Sequence, residues 1–227
     1  MNKPVKALIL RTGVFFLLAV LAGCHERATA PEIAMQEICG RDDGTLPFMR
    51  DPLYRARIPA SWQREDPSSI ASLSDTTKAL CTLHILDGNG RDIRITVHNF
   101  PITGDTVRIP PAAQVVRWQR QFSQIDPTTL TTSAQAFNGF SGVLFRATGM
   151  VRGVATAVMA WALQLAPQHD AALALRAERI SKEAQRWQQR RADLTIKAVG
   201  PPDLVERHQQ AIIAFARSVE LIEGIPN

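Results

Sequence analysis

The stretch that most constrains the fold is Val154–Leu163, which reads Val-Ala-Thr-Ala-Val-Met-Ala-Trp-Ala-Leu. It is apolar on both faces. A strand without a polar face has to be covered on both sides, so this stretch predicts the centre of a sheet with helices above and below it. The strand extends to Leu165 and is joined around Gly149–Gly153 to a second long strand, Phe137–Thr148. Gly139 and Gly142 in that second strand read as a bulge or a close approach of backbones.

A hairpin precedes this pair. Leu80–Leu86 and Ile93–Val97 alternate, and Asp87-Gly88-Asn89-Gly90 between them is a strong turn signal. If Asp87 faces Arg91 across a three-residue loop, Ile85 faces Ile93, Leu83 faces Ile95 and Cys81 faces Val97. All the apolar residues then share one face, whereas a slip of one residue would mismatch every pair. The second face carries Thr82, His84, Arg94, Thr96 and His98.

Helical periodicity appears three times. Val115, Trp118 and Phe122 set a helix over Ala112–Gln124, with Pro111 near its first turn. Leu173, Ala177, Ile180, Ala184 and Trp187 set a long helix over His169–Arg190. Pro201-Pro202-Asp203 opens a last helix with a stripe of Leu204, His208, Ile212, Phe215, Val219 and Ile222, and Asp203 with Glu206 reads as a capping box. Strands are also expected at Tyr54–Pro59, Ile70–Leu73 and Ala192–Val199, a short helix near Glu32–Ile38, and a threonine-rich loop at Thr128–Ser133. The order predicts an α+β fold: a mainly antiparallel sheet flanked by helices on both faces, an α/β/α sandwich.

The N-terminus addresses the protein. Lys3, Lys6 and Arg11 precede the apolar run Val14–Ala22, and Gly23-Cys24 follow. That is the layout of an export signal. The run falls short of the about 20 apolar residues a spanning helix needs. Leu21-Ala22-Gly23-Cys24 resembles the lipobox of bacterial lipoproteins. The resemblance implies cleavage after residue 23 and acyl chains, palmitate among them, on Cys24. More than one chain is needed for stable attachment, and the lipoprotein pattern supplies that. His25 follows the cysteine where aspartate marks inner-membrane retention. The resemblance therefore favours the outer membrane, with the outer face of the inner membrane as the alternative. The expected organisation is 1–23 as signal peptide, 24–50 as membrane tether and 51–227 as one globular domain.

With Cys24 lipidated, Cys39 and Cys81 are left in an oxidising compartment and form a candidate disulfide. The first 23 residues carry three of the 26 basic residues and none of the 21 acidic ones, so the remainder is close to neutral. With neither a basic run nor interleaved aromatics, nucleic acid is not the expected partner.

Tyr54, Pro59 and Trp62, in a Tyr-x-x-x-x-Pro-x-x-Trp pattern, are similar to the opening of the Mog1/PsbP/DcrB-like group. Ala136-Phe137-Asn138-Gly139-Phe140 ahead of a closing amphipathic helix is similar as well. The helix at 169–190 departs from the group and reads as an insertion. Members of the group are mostly non-catalytic accessory subunits, partner-binding domains and envelope lipoproteins. The resemblance implies such a role and carries over no catalytic residue.

His84 and His98 fall about 13 Å apart along the ladder, too far to share a metal, and Arg94 would repel a cation. His208 reads as a satisfied core or rim histidine of its helix, and Asp170 beside His169 as a first-turn acid. Ser141 in Gly139-Phe140-Ser141-Gly142 lacks the spacing of a nucleophile elbow. No catalytic residue, metal site or cofactor is expected. Arg176, Arg179, Arg186 and Arg190 form a stripe on the long helix and are the candidate patch for an anionic partner. The functional expectation is a membrane-anchored periplasmic lipoprotein, non-catalytic, that binds an envelope protein. An envelope-directed hydrolase and a lipid- or hydrophobic-ligand-binding protein are the alternatives.

Overall fold

The elements of the computed structural model are, in chain order, β1 (Ile33–Cys39), β2 (Pro52–Pro59), β3 (Gln63–Glu65), β4 (Cys81–Leu86), β5 (Asp92–Pro101), α1 (Pro111–Gln119), β6 (Gln124–Ile125), β7 (Thr131–Phe137), β8 (Phe140–Val151), β9 (Val154–Leu165), α2 (Pro167–Arg179), β10 (Ala192–Gly200), α3 (Pro202–Ser218) and β11 (Glu220–Leu221). The structure describes residues 32–40, 52–67, 77–102, 108–179 and 189–222, with the backbone alone for 175–179.

Strand β9 takes the place its composition demands. The large sheet runs β3-β4-β5-β10-β9-β8-β6, and β7 also pairs with β8. A smaller sheet runs β1-β2-β11. All the recorded pairs are antiparallel. The fold is therefore α+β, with an antiparallel sheet and helices on both of its faces.

Alternation along β9 separates two cores. Met159, Trp161 and Leu163 point to one side and join Ile93, Ile95, Val97, Leu194 and Ile196. The smaller sheet and α3 close that side through Tyr54, Ile58, Leu204, Ile212 and Phe215. Val158, Ala160 and Ala162 point to the other side, where Val115 and Trp118 of α1 and Phe122 lie on them. The alanines leave room for the Trp118 ring, whose centroid is 6.1 Å from that of Phe145.

The hairpin register holds as expected. Ile85 faces Ile93, Leu83 faces Ile95 and Cys81 faces Val97, and the Asp87 N–H donates to Arg91 O at 3.0 Å. Other expectations are corrected. The short helix near Glu32–Ile38 is strand β1, paired with β2 from Ile33↔Pro59 to Cys39↔Pro52. Its residues alternate between exposed and inward positions, and the partner strand overrides the helical leaning of Ala, Met, Gln and Glu. Ile33–Cys39, within the stretch assigned to the tether, is thus a strand of the smaller sheet. The loop at Thr128–Ser133 gives way to β7, which starts at Thr131.

The single strand from Phe137 is in fact two strands around a turn. Asn138 (φ 49°) and Gly139 (φ 80°) are both left-handed, the signature of a type I′ hairpin. Gly142 is the close approach: a Cβ there would lie 2.0 Å from Ala162 O. The helix expected to reach Gln124 stops at Gln119, and Gln124–Ile125 instead pairs with Met150 and Gly149 at the edge of β8. No capping box forms on α3. Pro201 takes the N-cap position, and both Asp203 oxygens accept bonds at 3.0 Å from Arg91. The strand expected at Ile70–Leu73 and residues 180–188 of the expected long helix lie outside the described residues.

Candidate functional site

Among the described residues, the α1 side of the large sheet is only partly covered. Register fixes the order of its side chains. Val199 lies between Arg94 and Val158, Lys197 between Thr96 and Ala160, and Thr195 between His98 and Ala162, while Asp193 faces Phe100. Helix α1 sits over the alanine side. Toward β5 and β10 it turns Gln114 and Arg117, and Gln121 follows in the turn just after its end. A groove of about 330 Å³ runs between them, with Lys197 and Thr195 on its floor and Arg94, Thr96 and His98 on its far wall.

The groove is cationic. Arg94 and Arg117 are exposed at its rim and Lys197 is half-buried on its floor. Among the described residues no carboxylate pairs with any of the three. Lys197 Nζ donates to Gln121 Oε1, a neutral partner. Burial pushes the Lys197 ammonium down to about 8 from 10.5, and the positive charges of Arg94 and Arg117 push the same way. A desolvated ammonium without a counter-ion is costly for a fold to keep, and such perturbed groups cluster at binding sites.

An apolar chamber of about 200 Å³ adjoins the groove. The two share Phe100, Gln114 and Thr195 as lining residues, so they form one bipartite cleft. Ile102, Ile109, Pro111 and Ala162 give the chamber its apolar walls. Arg108 and Asp193 close its end. Arg108 Nε donates to Asp193 Oδ2 at 3.2 Å, Arg108 Nη2 donates to Asp193 Oδ1 and, at 2.7 Å, to Leu165 O, and the Leu165 N–H donates to Asp193 Oδ1 at 3.1 Å. The Asp193 carboxylate beside it holds the Arg108 guanidinium above its ordinary value. Asp193 is thereby neutralised where it stands.

The residues singled out from the sequence fall elsewhere. Arg176 and Arg179 lie on the backbone of α2, without described side chains, and Arg186 lies outside the described residues. Arg190 is buried, 2% exposed, just before the buried start of β10, so it drops out of an exposed stripe. Cys24 lies outside the described residues. Cys39 ends β1 half-buried and Cys81 opens β4 fully buried, on two different sheets. His84 Nδ1 lies 2.7 Å from Asp92 Oδ2 and its Nε2 3.5 Å from Glu65, while His98 stacks on Phe100. Asp170 accepts from Arg191 Nε at 2.8 Å. Ser141 sits within β8 opposite Ala136 and Gln164, with no helix after it. Among the described residues no group of three or more His, Cys, Asp or Glu converges as metal ligands would.

The sequence reading thus found the polar face of the hairpin but missed the groove. One signal was available. Ala192–Gly200 is buried along nearly its whole length, and Lys197 is its one cation.

No family model and no curated protein sequence matches the chain. Solved structures with a similar fold include LpqN, involved in cell envelope biogenesis of Mycobacterium tuberculosis, at 15% identity and TM-score 0.46, covering 74% of this chain and 82% of that one. Another is cyanobacterial PsbP from Synechocystis, at 13% identity and TM-score 0.47, covering 88% of this chain and 98% of that one. What the groove does is read from its own residues.

Proposed function

We propose that this protein is a bacterial envelope lipoprotein, anchored through Cys24 and facing the periplasm, whose folded domain is a non-catalytic accessory that works by binding. The groove between α1 and β5 is its binding surface, and what it binds presents an anion. The observation that carries this reading is the convergence of Arg94, Arg117 and Lys197 without a carboxylate partner among the described residues. Side-chain amides from Gln114 and Gln121 join them, which suits holding an anion in place. The N-terminal signal and Leu21-Ala22-Gly23-Cys24 support the anchor and the compartment.

Two experiments test it. A photo-reactive residue in place of Gln121, at the exposed rim, should capture a defined species in intact envelopes. Capture lost in Arg117→Glu supports the reading, and unchanged capture overturns it. Cys24→Ala should release the chain from the membrane fraction; a variant that stays there refutes the anchor. A disulfide between Cys39 and Cys81 would tie the smaller sheet to the large one, and intact mass of alkylated protein before and after reduction decides whether it forms.

A further inference from the structure

We propose that the ligand of the cleft is a single-chain amphiphilic anion, with an oxyanion head such as phosphate on Arg94, Arg117 and Lys197 and its apolar chain in the chamber beside Ile102, Ile109 and Ala162. This rests on the groove being the binding surface and names the chemistry of what occupies it.

The cleft divides by chemistry along its length. From Lys197 to Asp193 the floor strand advances four residues, about 13 Å at strand rise. Over that span the lining changes from three cations to aliphatic side chains. A hydrophilic anion would satisfy the cations and leave the chamber wet. A neutral hydrocarbon would fill the chamber and leave the cations unmatched. A molecule with a charged head and an apolar chain matches both ends at once, and each methylene it buries adds favourable transfer. The closed end argues the same way. The Asp193 charge is matched by Arg108, so the chamber offers a tail neither a free cation nor a free anion. A ligand charged at both ends does not fit that arrangement.

Lys197 makes the binding pH-dependent. The groups facing it are Arg94, Thr96 and His98 from β5, Arg117 from α1, Gln121 from the turn after α1, and Ala160 from β9. None of these is an acid. A bound anion holds the Lys197 proton, and affinity falls as pH rises past about 8, where the empty site releases it.

The test uses the full mature chain in nanodiscs of zwitterionic lipid, with empty nanodiscs subtracted. Octyl phosphate, inorganic phosphate and octyl glucoside are titrated by calorimetry. Octyl phosphate should saturate one site at least tenfold more tightly than inorganic phosphate, and octyl glucoside should not compete with it. Lys197→Met should weaken octyl phosphate at least tenfold. Ile109→Ser, at an exposed position of the chamber wall, should weaken octyl phosphate and leave inorganic phosphate unchanged. Thermal melts of both variants separate lost binding from lost folding. Equal affinity for octyl phosphate and inorganic phosphate overturns the amphiphile while leaving an anion-binding groove. Octyl glucoside binding as tightly as octyl phosphate overturns the head site. Octyl and inorganic phosphate both failing to bind would sink the groove itself as a binding surface.

Discussion

The two faces of the large sheet come from the same strands, one residue apart, and they end differently. On one face Ile95, Val97, Met159, Trp161 and Ile196 are large and apolar, and α3 with the smaller sheet closes over them. On the other, Thr96, His98, Lys197, Ala160 and Ala162 are polar or small, and α1 covers only the alanine side. The closed face puts bulk where it removes most surface from water, which is what fixes register and fold. The open face spends little on packing and keeps unmatched charge. The two jobs are divided by the period-two alternation of the strands. Substitutions on the first face should read as stability and on the second as binding.

The largest effect should come from the closed face. Phe215 is 1% exposed and meets Trp62 edge-on at 5.6 Å. Phe215→Ala should cost about 3–5 kcal/mol in urea unfolding, the range for emptying an aromatic site. A loss below about 1 kcal/mol would mean that this face is not the fold's main closure.

Arg108 tests the border between the faces. Arg108→Ala leaves Asp193, which is 8% exposed, with the Leu165 N–H as its remaining recorded donor. The cost should be about 2–3 kcal/mol, measured the same way. Arg108→Lys restores charge without the two-pronged geometry and should recover only part of it.

Lys197 should reverse the sign. Its folded pKa of about 8 lies below the 10.5 of the unfolded chain. The unfolded chain therefore holds the proton more tightly, and the charged lysine destabilises the fold below pH 8. That penalty is relieved as pH rises from about 8 to 10.5. Lys197→Met should stabilise by about 2 kcal/mol at neutral pH, allowing for partial exposure, and by steadily less across that window. A gain independent of pH would assign it to packing alone.

How much of this the sequence disclosed follows the same division. The closed face was legible because apolar alternation is a strong local signal: the Asp87–Arg91 register and the central place of Val154–Leu165 both hold. Strand β1 was not legible, because its residues pair only when the distant β2 is in place. Asn138-Gly139 carries a hairpin signal, but with Gly142 close by the pair of glycines reads equally as a bulge or close approach within one strand, and only the pairing of Phe137 with Phe140 decides for a turn. The groove draws one cation each from β5, α1 and β10, far apart in sequence, and only the sheet order brings them together.

Asn138 ties that hairpin to the closed face. Its amide donates to Arg217 O at 2.8 Å and Val219 O at 3.0 Å, satisfying carbonyls at the end of α3. Asn138→Gly keeps the turn and loses both bonds, so it should cost about 1 kcal/mol. Asn138→Ala adds a left-handed penalty of about 1 kcal/mol more. Equal melting temperatures for the two would show that the turn conformation contributes nothing.

The smallest stability effect should be at the open rim, and it is the one that separates the two faces. Arg117 is exposed on α1 and has no carboxylate partner among the described residues. Arg117→Ala removes no buried surface and breaks no ion pair, so unfolding should change by less than about 0.5 kcal/mol. It also lifts one of the repulsions acting on Lys197, whose pKa should rise toward 10.5, visible by NMR of its ammonium group. If stability instead falls by more than about 1 kcal/mol, Arg117 is a packing residue and the division between the faces fails at the rim. If stability holds while phosphate binding is lost, the same residue is silent in folding and decisive in recognition, which is the behaviour expected of charge a fold carries for a ligand.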